Sequence, residues 1–589
     1  MATMTDNLIR VGTLNEIRAR GCTVVTGGGH TIAVFVHGDA VHAVDNRCPH
    51  MGFPLDRGTV KNGILTCHWH HARFDLSSGG TFDPWADDVR SFPVTIDDGE
   101  VWVNPSPPEP DQTARWSKRL QDALEDNIRL VIAKSVLGLD AAKADYRVPL
   151  GIGADFGTTY SAAGWGQAMT ILTCSASMLP YLDAKDRTLA MYQGLMHVAR
   201  SNAGMPPRFM LDPLPTGETR HEVFKLWFRN FIDVRYADGA ERCLRTAIEV
   251  GIPEQTIADM IFAAITDHLY VDGGHMLDFA NKAFELLDHL GWEHAAQVLT
   301  SLVYGMAGVQ RSEELGTWRN PEDIATMTWQ AREALAAAYD EGLGKRGEWD
   351  DEGALVDMIL QDDPAATLDA IVEAVRNGAS EAQIGSAVAF AAFMRMARFH
   401  TSNEFNDWDT LHNTLTAANA LHQALKRAPS LELLRGALDT AMSVYLDRFL
   451  NMPAQRVPDP LTNGTANGAA NPAIDGGTLR SDLLSGMDVQ QRVEPSAQIV
   501  SDYISGGAEP EGIIASLGHA MLREESGFHN FQIVDAAIKQ HEERRGTDEA
   551  RVVLIALSRF LAAHAPTSRA VRQTYNIALR LHRGEALYS

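Results

Sequence analysis

Along the first hundred residues apolar and polar positions alternate in short runs. Thr31 to Val36, Ala40 to Val44, Gly63 to Thr66, Val94 to Ile96 and Val101 to Val103 are β-branched or alternating, and turns rich in Gly, Asn and Asp separate them. Residues 1–105 are therefore predicted to form a small all-β domain. Over 104–113 four of ten residues are proline, which removes backbone donors and favours an extended spacer, so 106–113 is read as a linker. From residue 114 the apolar spacing changes to three and four, as in Thr256 to Leu269, Asp278 to Leu290, Ile384 to Arg398 and Arg551 to Ala563. The predicted fold class is multidomain, the small all-β domain being followed by a large all-α helical-repeat region. That region spans 114–451, and a stretch rich in Pro, Gly, Asn and Ala over 452–480 reads as a flexible linker. A C-terminal helical repeat is expected over 481–589.

The helical part repeats a pattern. Gly251 to Ile257 (GIPEQTI), Gly378 to Ile384 (GASEAQI) and Gly507 to Ile513 (GAEPEGI) each combine a glycine helix stop, an acidic turn and a new apolar helix. His275, His400 and His529 follow these glycines at similar distances; counted back from the next helix, the middle match is His412 instead. A fourth, weaker copy covers Gly166 to Ala199.

Length and charge narrow the possibilities. The 589 residues suggest several domains. A net charge of −25 argues against a nucleic-acid ligand. Five cysteines, an odd and sparse set, do not make a disulfide framework and suit a reducing cytoplasm. Apolar stretches are too short or too interrupted for a membrane span, so a soluble cytoplasmic protein is expected.

The chemistry is concentrated in Cys48-Pro-His50 and, after sixteen intervening residues, Cys67-His-Trp-His70. Two Cys/His pairs on hairpin loops of a β domain can converge so that the thiolates hold one iron and the imidazoles another. Together with their surroundings, CPHMGFPL and CHWHHARFDLSSGGTFDP, these residues closely resemble the Rieske family over roughly the first hundred residues. The resemblance implies a [2Fe-2S] cluster on Cys48, His50, Cys67 and His70. Zinc is the alternative, since two cysteines and two histidines suit it too, although zinc modules favour other spacings. His68 and His71 stand where the family carries a proline and a glycine. Phe53 and Trp69 stand where the high-potential branch carries a disulfide, so the resemblance implies the low-potential type found in oxygenases and their ferredoxins, reduced by a flavin- or ferredoxin-type reductase.

Such a domain moves electrons and needs an acceptor. The Asp/His run of the usual oxygenase iron site is absent from the helical region, but His275, His400, His412 and His294 are candidate ligands for a mononuclear non-haem iron. Asp272, Asp278, Glu404 and Asp409 are candidate carboxylates, with Lys282 a more speculative ligand. The block from Arg245 to Gly291 is also similar to the helical module of the carboxymuconolactone decarboxylase and alkyl hydroperoxidase D family, without that family's catalytic C-x-x-C. The expected function is an oxygenase acting with O2 on a small organic substrate, in a homo-oligomer. The alternative is a ferredoxin-like electron carrier whose helical region is a docking scaffold.

Overall fold

The computed structural model describes residues 8–106, 111–460, 475–585 and 587. The middles of the two expected linkers, 107–110 and 461–474, lie outside the described residues. The chain divides into two compact units, one formed by Met1–Gly153 with Ala570–Ser589 and the other by Ala154–Arg569.

Among the described residues of the first unit ten short strands form three antiparallel sheets. β1 (Ile9–Thr13), β10 (Glu100–Val103) and β9 (Val94–Asp97) make one; β2 (Cys22–Gly27), β3 (His30–His37), β4 (Ala40–Asp45) and β8 (Ser91–Phe92) make the second; β5 (Thr59–Lys61), β6 (Ile64–Thr66) and β7 (Arg73–Asp75) make the third. The pleat of β3 divides its side chains between two cores. Ile32 and Val34 join Ala43, Phe92 and Val103 on one side. Ala33 and Phe35 turn to the other side, with Leu55, Leu65, Phe74, Cys48 and Cys67. A short helix, α1 (Leu14–Arg20), follows β1 with Thr13 and Glu16 in a reciprocal capping box.

Further helices extend this unit beyond the strands. α2 (Gln112–Glu125) starts at Asp111, whose carboxylate accepts from the Ala114 N–H at 3.1 Å. α3 (Arg129–Ala141) is buried from Val131 to Leu139, as expected of a helix covered on several sides. α2 packs on one side of it, and the C-terminal helix Ala570–His582 packs on it as well. Arg47, in the loop after β4, donates to Leu581 O at 3.0 Å and Glu585 O at 2.7 Å. The last helix thus belongs to the first unit, although the sequence pattern placed it in a C-terminal repeat.

The second unit is helical. Its relevant elements are α4 (Gln167–Ser177), α5 (Glu254–Thr266), α6 (His275–Leu290), α7 (Glu381–Ala397), α8 (Asp407–Arg427), α9 (Pro510–Arg523) and α10 (Phe528–Glu543). The helix Gly476–Gly486 begins inside the segment expected to be a linker. Gly251, Gly378 and Gly507 have φ of 83°, 95° and 79°, so each ends a helix in the left-handed region, where a side chain would be strained. Each glycine precedes a helix pair: α5 and α6, α7 and α8, α9 and α10.

The second helices of these pairs close a ring with α4: α4 packs on α6, α6 on α8, α8 on α10 and α10 on α4. Their C-terminal ends meet, Ser177 Oγ lying 3.1 Å from His289 Nε2, with Arg427 paired to Asp288 and Lys426 to Glu543. The four helices therefore run parallel. Ion pairs cross the ring from α6 to α10, Lys282 meeting Asp535 and Lys539 reaching Glu285 at 2.5 Å, while Lys282 also pairs with Glu285 within α6 at 2.9 Å. Above them Gln532 donates to Asp278 at 2.5 Å. No helix among the described residues is long and apolar enough to cross a membrane.

Candidate functional site

The loops after β4 and β6 are built alike. Cys48 N donates to Phe53 O at 2.8 Å and Gly52 N to Cys48 O at 2.7 Å; Cys67 N donates to Ala72 O at 2.9 Å and His71 N to Cys67 O at 3.0 Å. In both, the fourth residue after the cysteine is left-handed, Gly52 at φ 84° and His71 at φ 64°. The family glycine that His71 replaces is therefore a conformational requirement, met here by a strained histidine.

This geometry brings the four expected ligands together. Cys48 and Cys67 are 2% and 1% exposed and hydrogen-bond to one another. Cys67 is pulled down to about 6 by accepting from Cys48, helped by the Trp69 and His70 N–H groups. Cys48 is pushed up by that same bond and by burial, while the His50 and Met51 N–H groups favour its thiolate. The His50 and His70 rings are 4.9 Å apart, edge to face. His70 is exposed. His50 is half-buried against Trp85 at 4.7 Å, and burial, followed by the nearby Lys134 and His70, pushes it down to about 4. Phe53 and Trp69, in the places of the absent disulfide, set their rings 6.0 Å apart.

The donors fit an iron–sulfur cluster. His50 Nδ1 is buried with no hydrogen-bond partner, as an imidazole reserved for a metal would be, and two thiols sit among converging backbone N–H groups.

Residues 7–93 match the Rieske [2Fe-2S] domain. The chain is 32% identical over 95 residues to the anthranilate 1,2-dioxygenase ferredoxin subunit of Burkholderia cepacia, covering 16% of this chain and 88% of that one. The chain belongs to the Rieske family. Human (Homo sapiens) apoptosis-inducing factor 3 is 37% identical over 84 residues, and the chain covers only 14% of that relative's length. The ferredoxin of carbazole 1,9a-dioxygenase from Nocardioides aromaticivorans IC177 matches at 30% identity with a TM-score of 0.17, over 17% of this chain and 100% of that chain.

Beyond the matched residues, α2 and α3 grip the Rieske loops. Lys134 on α3 donates to Pro49 O at 2.6 Å, His50 O at 3.2 Å and Asp87 Oδ2 at 3.0 Å. Arg119 on α2 donates to Asp87 Oδ1 at 2.8 Å and to Pro84 O and Ala86 O, both at 2.6 Å. Burial opposes ionisation of Asp87, but Lys134 and Arg119 together hold it below the usual carboxylate range. The sequence signal was a lone charged residue inside the mostly apolar run Val131 to Leu139.

In the helical unit the expected iron ligands separate into two groups. His275 and His412 are brought to one end of the helix ring, and His529 joins them from α10: His412 and His529 have centroids 4.4 Å apart, and His275 and His529 stack at 6.4 Å. Asp409 Oδ1 lies 2.8 Å from His529 Nδ1. Phe279 and Phe528 flank His275, and Phe560 flanks His412. His412 is 0% exposed, with Nε2 unpartnered. Burial pushes His275 down to about 4 and His412 well below its ordinary value, with His529 adding to both, so both are neutral imidazoles at pH 7. His400 instead faces Ser402 in its own loop, Nδ1 to Oγ 2.7 Å, and His294 lies 3.9 Å from Asp155. Lys282 is committed to its ion pairs. His529 carried a signal in the sequence, its place after the third repeat glycine.

Proposed function

We propose that the protein is a one-electron carrier of the oxygenase-ferredoxin kind, its cluster held by Cys48, His50, Cys67 and His70. The observation that carries this is the pair of matching loops that bury both cysteines beside the unpartnered Nδ1 of His50. When bound, the cluster supplies reversible one-electron storage. The chain's own residues hold the thiolates in N–H cradles, keep His50 neutral under Trp85 and leave His70 exposed as the point of exchange with a partner. A flavin- or ferredoxin-type reductase is the donor in this reading, and an oxygenase the user of the electrons. The test is a reduced-minus-oxidised absorption and EPR spectrum of the purified chain with iron and sulfide analysis. A colourless protein carrying zinc overturns it.

A second reading makes the helical unit the acceptor, with a mononuclear non-haem iron acting on O2 and a small organic substrate. It is favoured by the convergence of His275, His412 and His529 from three equivalent helices, with Asp409 orienting one of them. His400 and His294 have no part in it. As the rings stand they do not close on one ion, so this reading requires side-chain rotation on binding. Metal analysis separates the two: iron near three per chain, falling to two in His412→Ala, supports the second reading, and two in the wild type removes it.

A further inference from the structure

We propose that Lys134 sets the reduction potential of the cluster from outside the Rieske domain. This role rests on the cluster assignment above. Residues 7–93 define the domain, and Lys134 comes from α3, 41 residues beyond that end by sequence number.

A lysine at this place is costly to bury unless its charge does something the fold uses. α3 is otherwise apolar from Val131 to Val136 apart from Ser135, and Lys134 is 7% exposed. Two of its three hydrogen bonds go to Pro49 O and His50 O, the backbone of the loop that carries Cys48 and His50. The third goes to Asp87, which Arg119 also engages. One carboxylate thus faces two cations, leaving one positive charge in excess beside the ligand loop. Reduction adds one negative charge to the cluster, and in a water-poor setting a fixed cation stabilises that added charge. Net charge and hydrogen bonding around the cluster govern such potentials. Lys134 therefore favours the reduced state. Removing Asp87's charge enlarges the positive excess and favours it further.

The sign of that difference separates an electrostatic role from a structural clamp. Loosening the loop gives no reason for Lys134 and Asp87 variants to shift in opposite directions. The experiment is a redox titration of the full chain, followed by EPR and visible absorption, for wild type, Lys134→Met and Asp87→Asn, with iron and sulfide measured in each. Lys134→Met is expected to lower the ratio of reduced to oxidised cluster at a fixed potential by about tenfold, which for a one-electron couple is about 59 mV. Asp87→Asn is expected to raise it. An unchanged or raised ratio in Lys134→Met with the cluster intact overturns the proposal. Should Lys134→Met fail to assemble the cluster, Asp87→Asn decides: a raised ratio supports the role, and an unchanged or lowered ratio, or loss of its cluster too, assigns both residues to the clamp and overturns it. Wild type without iron and sulfide overturns the cluster assignment itself, a result distinct from an unmoved potential.

Discussion

Asp409 Oδ1 lies 2.8 Å from His529 Nδ1, and that bond chooses the tautomer of a histidine whose ring packs 4.4 Å from His412. The carboxylate accepts the Nδ1–H, which leaves the lone pair on Nε2. If the helical unit binds iron through these rings, Asp409→Ala is expected to weaken that iron about 10- to 100-fold without changing the cluster iron. Equilibrium dialysis with ferrous iron, with the cluster monitored by absorption, checks this. Equal affinity in wild type and variant removes Asp409 from the site.

The proposed cluster ligands give a sharper outcome. Cys67→Ser and His70→Ala are each expected to take iron from about two per chain toward zero, with the helical circular-dichroism signal retained because Ala154–Arg569 is a separate compact unit. Retained colour in both variants would move the cluster elsewhere.

The convergence of these candidate ligands was legible in the sequence because each pair is local: a cysteine and a histidine two or three residues apart on a tight turn whose backbone bonds close within five residues. The strands and the helical periodicity were legible for a similar reason, since burial repeats at two or at three and four. Lys134 was not legible as a neighbour of His50, because only the packing of α3 brings it there. Arg47 and Leu581 are 534 positions apart, a contact no local pattern contains. His400 misled because the distance from the repeat glycine points to it, whereas the helix that follows carries His412 inward. The loop between them adds the residues that break the count.

His71 offers a test of backbone strain. Its φ of 64° matches the place of Gly52 in the sister loop, and a non-glycine residue there is strained by about 1–2 kcal/mol. His71→Gly is expected to stabilise the Rieske domain by about 1 kcal/mol, less than the strain because glycine also loosens the unfolded chain. Thermal unfolding followed by cluster absorbance measures it; a lower midpoint would show that the His71 side chain stabilises the loop by more than its backbone costs.

The buried ion pairs across the ring predict an asymmetry. Lys282 is 1% exposed and Asp535 is 2% exposed, so Lys282→Met leaves two buried carboxylates, Asp535 and Glu285, to the single remaining cation of Lys539. The expected cost is about 3–5 kcal/mol. Lys282→Met combined with Asp535→Leu should be less destabilising than Lys282→Met alone, because two charges leave together and Lys539 still serves Glu285. Denaturant unfolding of both variants checks the order, and the reverse order would mean that the network's charges are solvated.

Asp447 carries a pH prediction with a fixed sign. Burial pushes it up from 3.8 to about 7, against the pull of Thr414 and Arg395, and its Oδ2 has no hydrogen-bond partner. A carboxyl raised in the folded state holds a proton that the unfolded chain releases, so its contribution favours folding less as pH climbs from about 4 to about 7. The buried imidazoles His275 and His422, pushed down from 6.5 to about 4 chiefly by burial, act in the opposite sense: they weaken folding as pH falls through that range. The wild-type curve mixes the two slopes, and the difference between Asp447→Asn and wild type isolates one. That difference should be flat below about pH 4, grow in favour of Asp447→Asn through about pH 7 and level off above it, reaching on the order of 4 kcal/mol. Urea unfolding at pH 5, 6, 7 and 8 reads it directly, and a difference that shrinks as pH rises would mean that Asp447 is ionised and well paired in the folded protein.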